Sequence, residues 1–403
     1  WSVLAFLAVV APMCICVAVC ASTFCASGTH RRKLPAALAA IFIAVVASVF
    51  FLNPHEDVYT GLDVAMYRHM AHSFADGRGF HDIDRKFREV PEALRPYFLA
   101  RWIVGVSNKP SRDMVFEITK TPEMETAPMF LPTLPLAANG GRASGMAPDM
   151  FVPLVGVLWF ACLVLAATRA GGLWGLAAVF ALVFGTSWPS WFLRGFHPEA
   201  VGGALISTVV VTSAARRRTP WWLHVTFGFM LGLSISFHPT MSVLALPVAL
   251  ALMIKDGKWS STAALAVFGA LGVLPLLVIT KHVCAPYGDF LNPGHLASML
   301  RAVKQIRFLG YALLCAAALG LAAMALAHSP RLRERLAAPA AMRAYAVVCG
   351  VVSVLAIIIP SIAGGFIGKG WSAASGELRL FALTAVFAWE AVFIARRPLI
   401  ERA

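Results

Sequence analysis

Five short stretches of this chain gather carboxylates, imidazoles and cations at the edges of apolar runs: HEDVYTGLD (55–63), SWPSWFLRGFHPE (187–199), SFHPT (236–240), APYGDFLNPGH (285–295) and GKGWSAASGELR (368–379). The first follows LPAALAAIFIAVVASVFFL (34–52) and holds Glu56, Asp57 and Asp63. Asp63 has two readings. In Thr60-x-x-Asp63 it resembles a capping box, and an acid favours a helix N-terminus. The other is a carboxylate for acid–base work, held close to a bilayer; taken alone, the residues favour the cap. Glu56 and Asp57 read most simply as solvated loop acids. His197 and Glu199 bracket Pro198, which is an ordinary way to start a helix, and His238 before Pro239 fits a turn. Arg379 stands where a loop meets a late apolar run. An interfacial Arg can snorkel to lipid head groups, or its planar fork can clamp a phosphate. Lys369 poses the same choice. Glu390, in FAWEAVF, sits inside an apolar run and must face other helices, a cavity or the interface.

The elements that must hold these residues are helices. The chain has 403 residues, 59% hydrophobic and 13% charged, against about 25% charged in soluble domains. Repeated apolar runs of roughly 18 residues or more read as transmembrane helices, and a helical bundle satisfies every backbone polar group within lipid. The fold expected is an all-α polytopic membrane protein. Helices are expected near 1–26, 34–52, 150–168, 172–189, 199–215, 221–237, 240–254, 260–280, 308–327, 343–360 and 379–395. The chain is one transmembrane domain, with a large loop at 53–149 and the remaining helices over 150–403. That loop is too long for a simple connector. Within it, DVAMYRHMAHSFADGRGF spaces Val64, Tyr67, Met70 and Phe74 as one apolar helix face, and Gly77 and Gly79 supply the stop. Such a helix should lie on the membrane surface. The chain begins with Trp1; the first apolar run, followed by positive charge and another span, reads as a retained helix rather than a cleaved signal.

Orientation follows from Lys and Arg in the short connections. One set carries HRRK (30–33), Arg169, RRR (216–218), KDGK (255–258), RLRER (331–335), Arg343 and the tail RRPLIERA, with only Asp256, Glu334 and Glu401 as acids. Nearly all of the net charge of +14 lies on that side, which is therefore assigned to the cytoplasm. The basicity is topology, not a surface for nucleic acid, and there is no Lys/Arg-rich recognition helix or zinc-finger spacing. About eleven spans then put the N-terminus outside and the C-terminus inside. All five polar stretches fall on the outer side, where they are able to line one site.

The eight cysteines form no framework. Most lie in apolar runs and read as small hydrophobes. There is no P-loop GxxxxGK[ST], HExxH, GxSxG or CxxC, which removes support for an ATP-driven pump, a zinc protease and a serine hydrolase.

With those residues in place, the chain resembles the GT-C superfamily of polytopic glycosyltransferases, which take sugars from polyprenyl-phosphate donors. It looks closest to bacterial relatives of the protein mannosyltransferases and the aminoarabinose and arabinosyl transferases. The family places Asp, then Tyr, then a glycine turn in its first large outer loop. LDVAMYRHMAHSFADGRGF matches, so the family's catalytic acid falls on Asp63. APMFLPTLPLA (127–137) matches the Pro-rich return to the membrane, and YGDFLNPGH (287–295) a short later loop. GWSAASGELRLF (370–381) matches the loop before a late helix and puts the family's Arg on Arg379. GLSISFHPTMSVLALPVAL (232–250) matches a helix pair, with His238 where a basic residue is usual. The departures are Val64, where an acidic neighbour usually follows the Asp, and Glu377 in place of Pro.

The resemblance implies transfer of a sugar from a polyprenyl-phosphate donor to a lipid, glycan or protein acceptor. This would occur on the extracytoplasmic face of the cytoplasmic membrane. Asp63 would be the base, Arg379 with Lys369 would hold the donor phosphate, and Tyr67, His197, Glu199 and His238 would line the cavity. Glu56 and Asp57 would serve the acceptor side or a divalent metal, although no cofactor is expected to be required. The alternatives are a non-catalytic membrane scaffold or a transporter for a lipid-linked saccharide.

Overall fold

The computed structural model describes residues 2–25, 33–47, 62–77, 82–83, 89–94, 111–112, 116–120, 125–128, 132–173, 175–177, 179, 196–216, 219–238, 241, 244–246, 248–249, 252–253 and 258–283. The helices expected at 308–327, 343–360 and 379–395 lie outside the described residues.

The bundle is helical throughout its described part. α1 (Ser2–Cys25) carries no charged residue and tolerates Pro12 in its interior. Ser22 and Thr23 donate their hydroxyls back to the carbonyls of Val19 and Cys20, both at 2.9 Å. Its buried stripe is Val9, Met13, Cys16 and Cys20, a helical spacing that faces the bundle, yet the opposite side exposes Val3, Leu4, Leu7 and Ile15. α2 (Lys33–Val46) likewise exposes Leu38, Ile41 and Val45. Apolar side chains on both faces suit a helix with lipid behind it. α1 and the segment Pro148–Arg169 are long and apolar enough to cross a membrane, and Pro198–Ala214, Trp221–Phe237 and Ser260–Leu274 are shorter apolar helices.

The large loop departs from the expectation of helices alone. α3 (Leu62–Ala75) forms as expected and ends at Gly77, whose φ of 74° a side-chain-bearing residue would resist. After it in the sequence comes a small antiparallel sheet in the order β1-β4-β3-β2. Its strands are β1 (Asp82–Ile83), β2 (Ser111–Arg112), β3 (Phe116–Lys120) and β4 (Glu125–Pro128). The central pair aligns Phe116 with Pro128 and Ile118 with Thr126, then shifts register before Lys120. FEITK alternates apolar and polar residues as a strand does. The chain then enters α4 (Thr133–Gly140), which is almost wholly buried and touches α1 and α3. Gly140 lies so close under α1 that a Cβ there would strike the Ser2 carbonyl.

α5 (Phe151–Gly171) follows a single turn at Pro148–Met150 and stops at Gly172, φ 58°. α6 (Pro198–Ala214) runs parallel to it: Trp159 Nε1 donates to Ser207 Oγ at 2.9 Å, and Arg169 Nη1 donates to the Ala215 carbonyl at 2.7 Å. α7 (Trp221–Phe237) returns antiparallel, bringing the Ser234 carbonyl beside Gly202. α8 (Trp259–Val283) is parallel to α7, since Gly228 faces Leu265, Gly232 faces Gly269 and Ser236 Oγ donates to the Gly272 carbonyl at 2.9 Å. Two consecutive parallel helices require a return crossing between them. Met241, Leu244, Ala245, Val248 and Leu252 are buried at helical spacing there, where the sequence leads one to expect a helix at 240–254.

These directions sort the chain ends. The starts of α1, α5 and α6 and the end of α7 share one end of the bundle with α4. The other end holds Arg169, Arg216 and Lys258, with Trp221 exposed at 70% beside them.

Candidate functional site

The polar end is built by three helix termini and the loop helices. At α6, His197 is the extended N-cap residue, Pro198 opens the helix and Glu199 lies in the first turn. Pro at that position needs no hydrogen-bonded N–H, and the acid complements the helix dipole. At α7, His238 is the C-cap residue, with its backbone N–H bonded to the Ser234 carbonyl at 3.3 Å. Because α6 and α7 are antiparallel, these termini meet. His238 Nε2 stands 3.4 Å from Glu199 Oε1, and both side chains are part-exposed. The pair is a carboxylate beside an imidazole, an arrangement that can orient the ring and pass a proton. Sequence reading puts both on the outer side; the structure adds the contact.

Asp63 occupies the first turn of α3. Tyr67 stands four residues further along the same helix. Tyr67 is 5% exposed and Met70 2% exposed, so the side of α3 expected to rest on lipid is largely covered by protein. Glu56, Asp57, Lys369 and Arg379 lie outside the described residues, as does Glu390.

A second cluster at this end has no counterpart in the sequence reading. Asp149, in the turn that leads into α5, accepts from Arg68 Nε at 3.0 Å and from Arg68 Nη2 at 3.4 Å. His72 Nε2 approaches the same carboxylate at 3.2 Å. Arg68 and His72 are spaced i, i+4 on α3, a spacing visible in the sequence. Asp149, more than seventy positions away, carries no local signal.

Within the bundle, Cys16, Cys20 and Cys162 are buried, with Cys20 Sγ 3.6 Å from Thr212 Oγ1 and Cys16 Sγ 3.8 Å from Met230 Sδ. They pack as small apolar groups. Among the described residues no group of three or more His, Cys, Asp or Glu is arranged to hold a metal ion.

No family model matches the chain, and neither a curated protein nor a solved structure matches it.

Proposed function

We propose that this protein is an inverting glycosyltransferase of the GT-C type, a bundle of about eleven transmembrane helices in the cytoplasmic membrane. It moves a sugar from a polyprenyl phosphate to an acceptor at the extracytoplasmic face. The carrying observation is sidedness. α3, which bears Asp63, and the Glu199–His238 pair belong to one end of the bundle, while Arg169, Arg216 and Lys258 belong to the other. A lipid-tethered donor keeps its sugar at the membrane surface, so a base acting on it must stand at one bilayer face. The positively charged end is the one that stays in the cytoplasm.

In the step itself, Asp63 takes the proton of the acceptor hydroxyl as its oxygen attacks the anomeric carbon. The bond from that carbon to the phosphate oxygen breaks, and the lipid phosphate leaves with the electron pair. Arg379, with Lys369, neutralises that phosphate. Glu199 and His238 line the cavity and order the sugar or acceptor by hydrogen bonds.

The test uses membranes from cells lacking the protein, complemented with wild type or Asp63→Asn and given labelled polyprenyl-phosphate sugars as a panel. Wild type should transfer label, and an equally expressed Asp63→Asn should lose about a hundredfold or more, the usual share of a general base. Equal labelling by both would remove Asp63 from the chemistry. No label from either would favour a scaffold.

A further inference from the structure

The Arg68–Asp149–His72 cluster is separate from the residues given roles above. It joins α3, in the loop, to the turn that opens α5, in the bundle. The two-pronged contact from Arg68 fixes both distance and angle, which a lysine in its place would not do. Tyr67, Met70 and Ala71 meanwhile bury another side of the same helix. α3 is thus held on two sides, by apolar packing and by one shared carboxylate. Packing alone resists lifting but lets a helix slide or roll; a directional ion pair resists both. Position 63 lies five residues from Arg68, roughly 7–8 Å along the axis, so any slide or roll of α3 moves it too.

We propose that Arg68, His72 and Asp149 are positioning residues, a latch that sets the register and rotation of α3 against the start of α5 and thereby the place of Asp63. Its functional half rests on the glycosyl-transfer reading of Asp63. The side chains of Arg68, His72 and Asp149 are 30%, 44% and 22% exposed, so solvent screens the latch and its loss loosens α3 without unfolding the bundle.

The experiment compares wild type, Asp149→Asn, Asp149→Glu and Arg68→Lys, each as the full chain in lipid nanodiscs. Backbone hydrogen exchange is followed over 62–76, 151–171 and 198–214, and kcat and KM are measured on whichever labelled polyprenyl-phosphate sugar wild type accepts. Asp149→Asn and Arg68→Lys should speed exchange over 62–76 by about tenfold, with both bundle segments unchanged. They should lower kcat by about tenfold with KM within roughly twofold, and Asp149→Glu should recover part of both, because misplacing a reacting group costs rate rather than affinity. Unchanged exchange over 62–76 would overturn the latch. So would exchange rising equally in all three segments, which would mark a merely structural contact. If wild type transfers no sugar, the proposed function fails by itself and the exchange comparison still decides the latch.

Discussion

Replacing Gly232 and Gly269 one at a time by alanine asks whether α7 and α8 pack backbone to backbone. The two positions face each other, yet the added methyl meets different surroundings. At Gly232 a Cβ would fall on the Gly269 carbonyl oxygen, 2.8 Å from its carbon and 3.0 Å from Gly272 Cα. Backbone cannot swing aside as a side chain can, so the helices must separate. Overpacking of this kind costs about 1–3 kcal/mol. Separation also stretches the Ser236–Gly272 hydrogen bond, now 2.9 Å, and interhelical bonds of that sort average about 0.6 kcal/mol in membranes. The expected loss for Gly232→Ala is therefore about 2–3 kcal/mol. At Gly269 the new Cβ would meet, among the described residues, the Gly228 carbonyl oxygen at 3.6 Å, an ordinary contact. Gly269→Ala should be neutral or stabilising by up to about 1 kcal/mol through helix propensity. Reversible unfolding by dodecyl sulfate in mixed micelles reads both. Equal effects, or a tolerated Gly232→Ala, would refute the close approach of the two helices.

Two further substitutions test other joints. Arg169→Met removes the charged donor to the Ala215 carbonyl, 2.7 Å away, which ties the ends of α5 and α6; it should cost about 1.5–3 kcal/mol in the same unfolding assay. Gly77→Ala meets no atom of the described residues within 4 Å but must hold a φ of 74°, so it should cost about 1–2 kcal/mol, seen as faster exchange at the end of α3 rather than as a lower unfolding midpoint.

Over the described residues, helix positions were legible in the sequence because two independent signals agreed. Apolar runs marked the helices, and Pro, Gly and charge marked their ends. Pro198 opens α6 and Pro220 precedes α7 as such residues should, while Gly77 closes α3 and Gly172 closes α5. The small sheet escaped because its longest strand, Phe116–Lys120, has five residues, too few for alternation to stand out from a loop. The parallel pairing of α7 and α8 was half legible. Gly228 and Gly232 have the spacing of a close helix contact, but the partner helix is a property of the fold. Asp149 was not legible at all. Its partners Arg68 and His72 lie in a different element, and a Pro-Asp pair before an apolar run reads as an ordinary helix start.

Sidedness links these observations to chemistry. Basic residues flanking membrane spans are placed by insertion, whatever the protein does, so on the proposed membrane reading Arg169, Arg216 and Lys258 at one end carry orientation and nothing about a reaction. Insertion makes no such demand for paired carboxylates and imidazoles at the other end. Glu199 with His238, and Asp149 with Arg68 and His72, each join two segments that the chain brings together only on folding. Such pairs stabilise weakly when part-exposed, so stability alone is a poor reason for two of them at one end of the bundle. The proposed glycosyl transfer would supply a better one, because holding a base in register beside a sugar depends on geometry more than on energy.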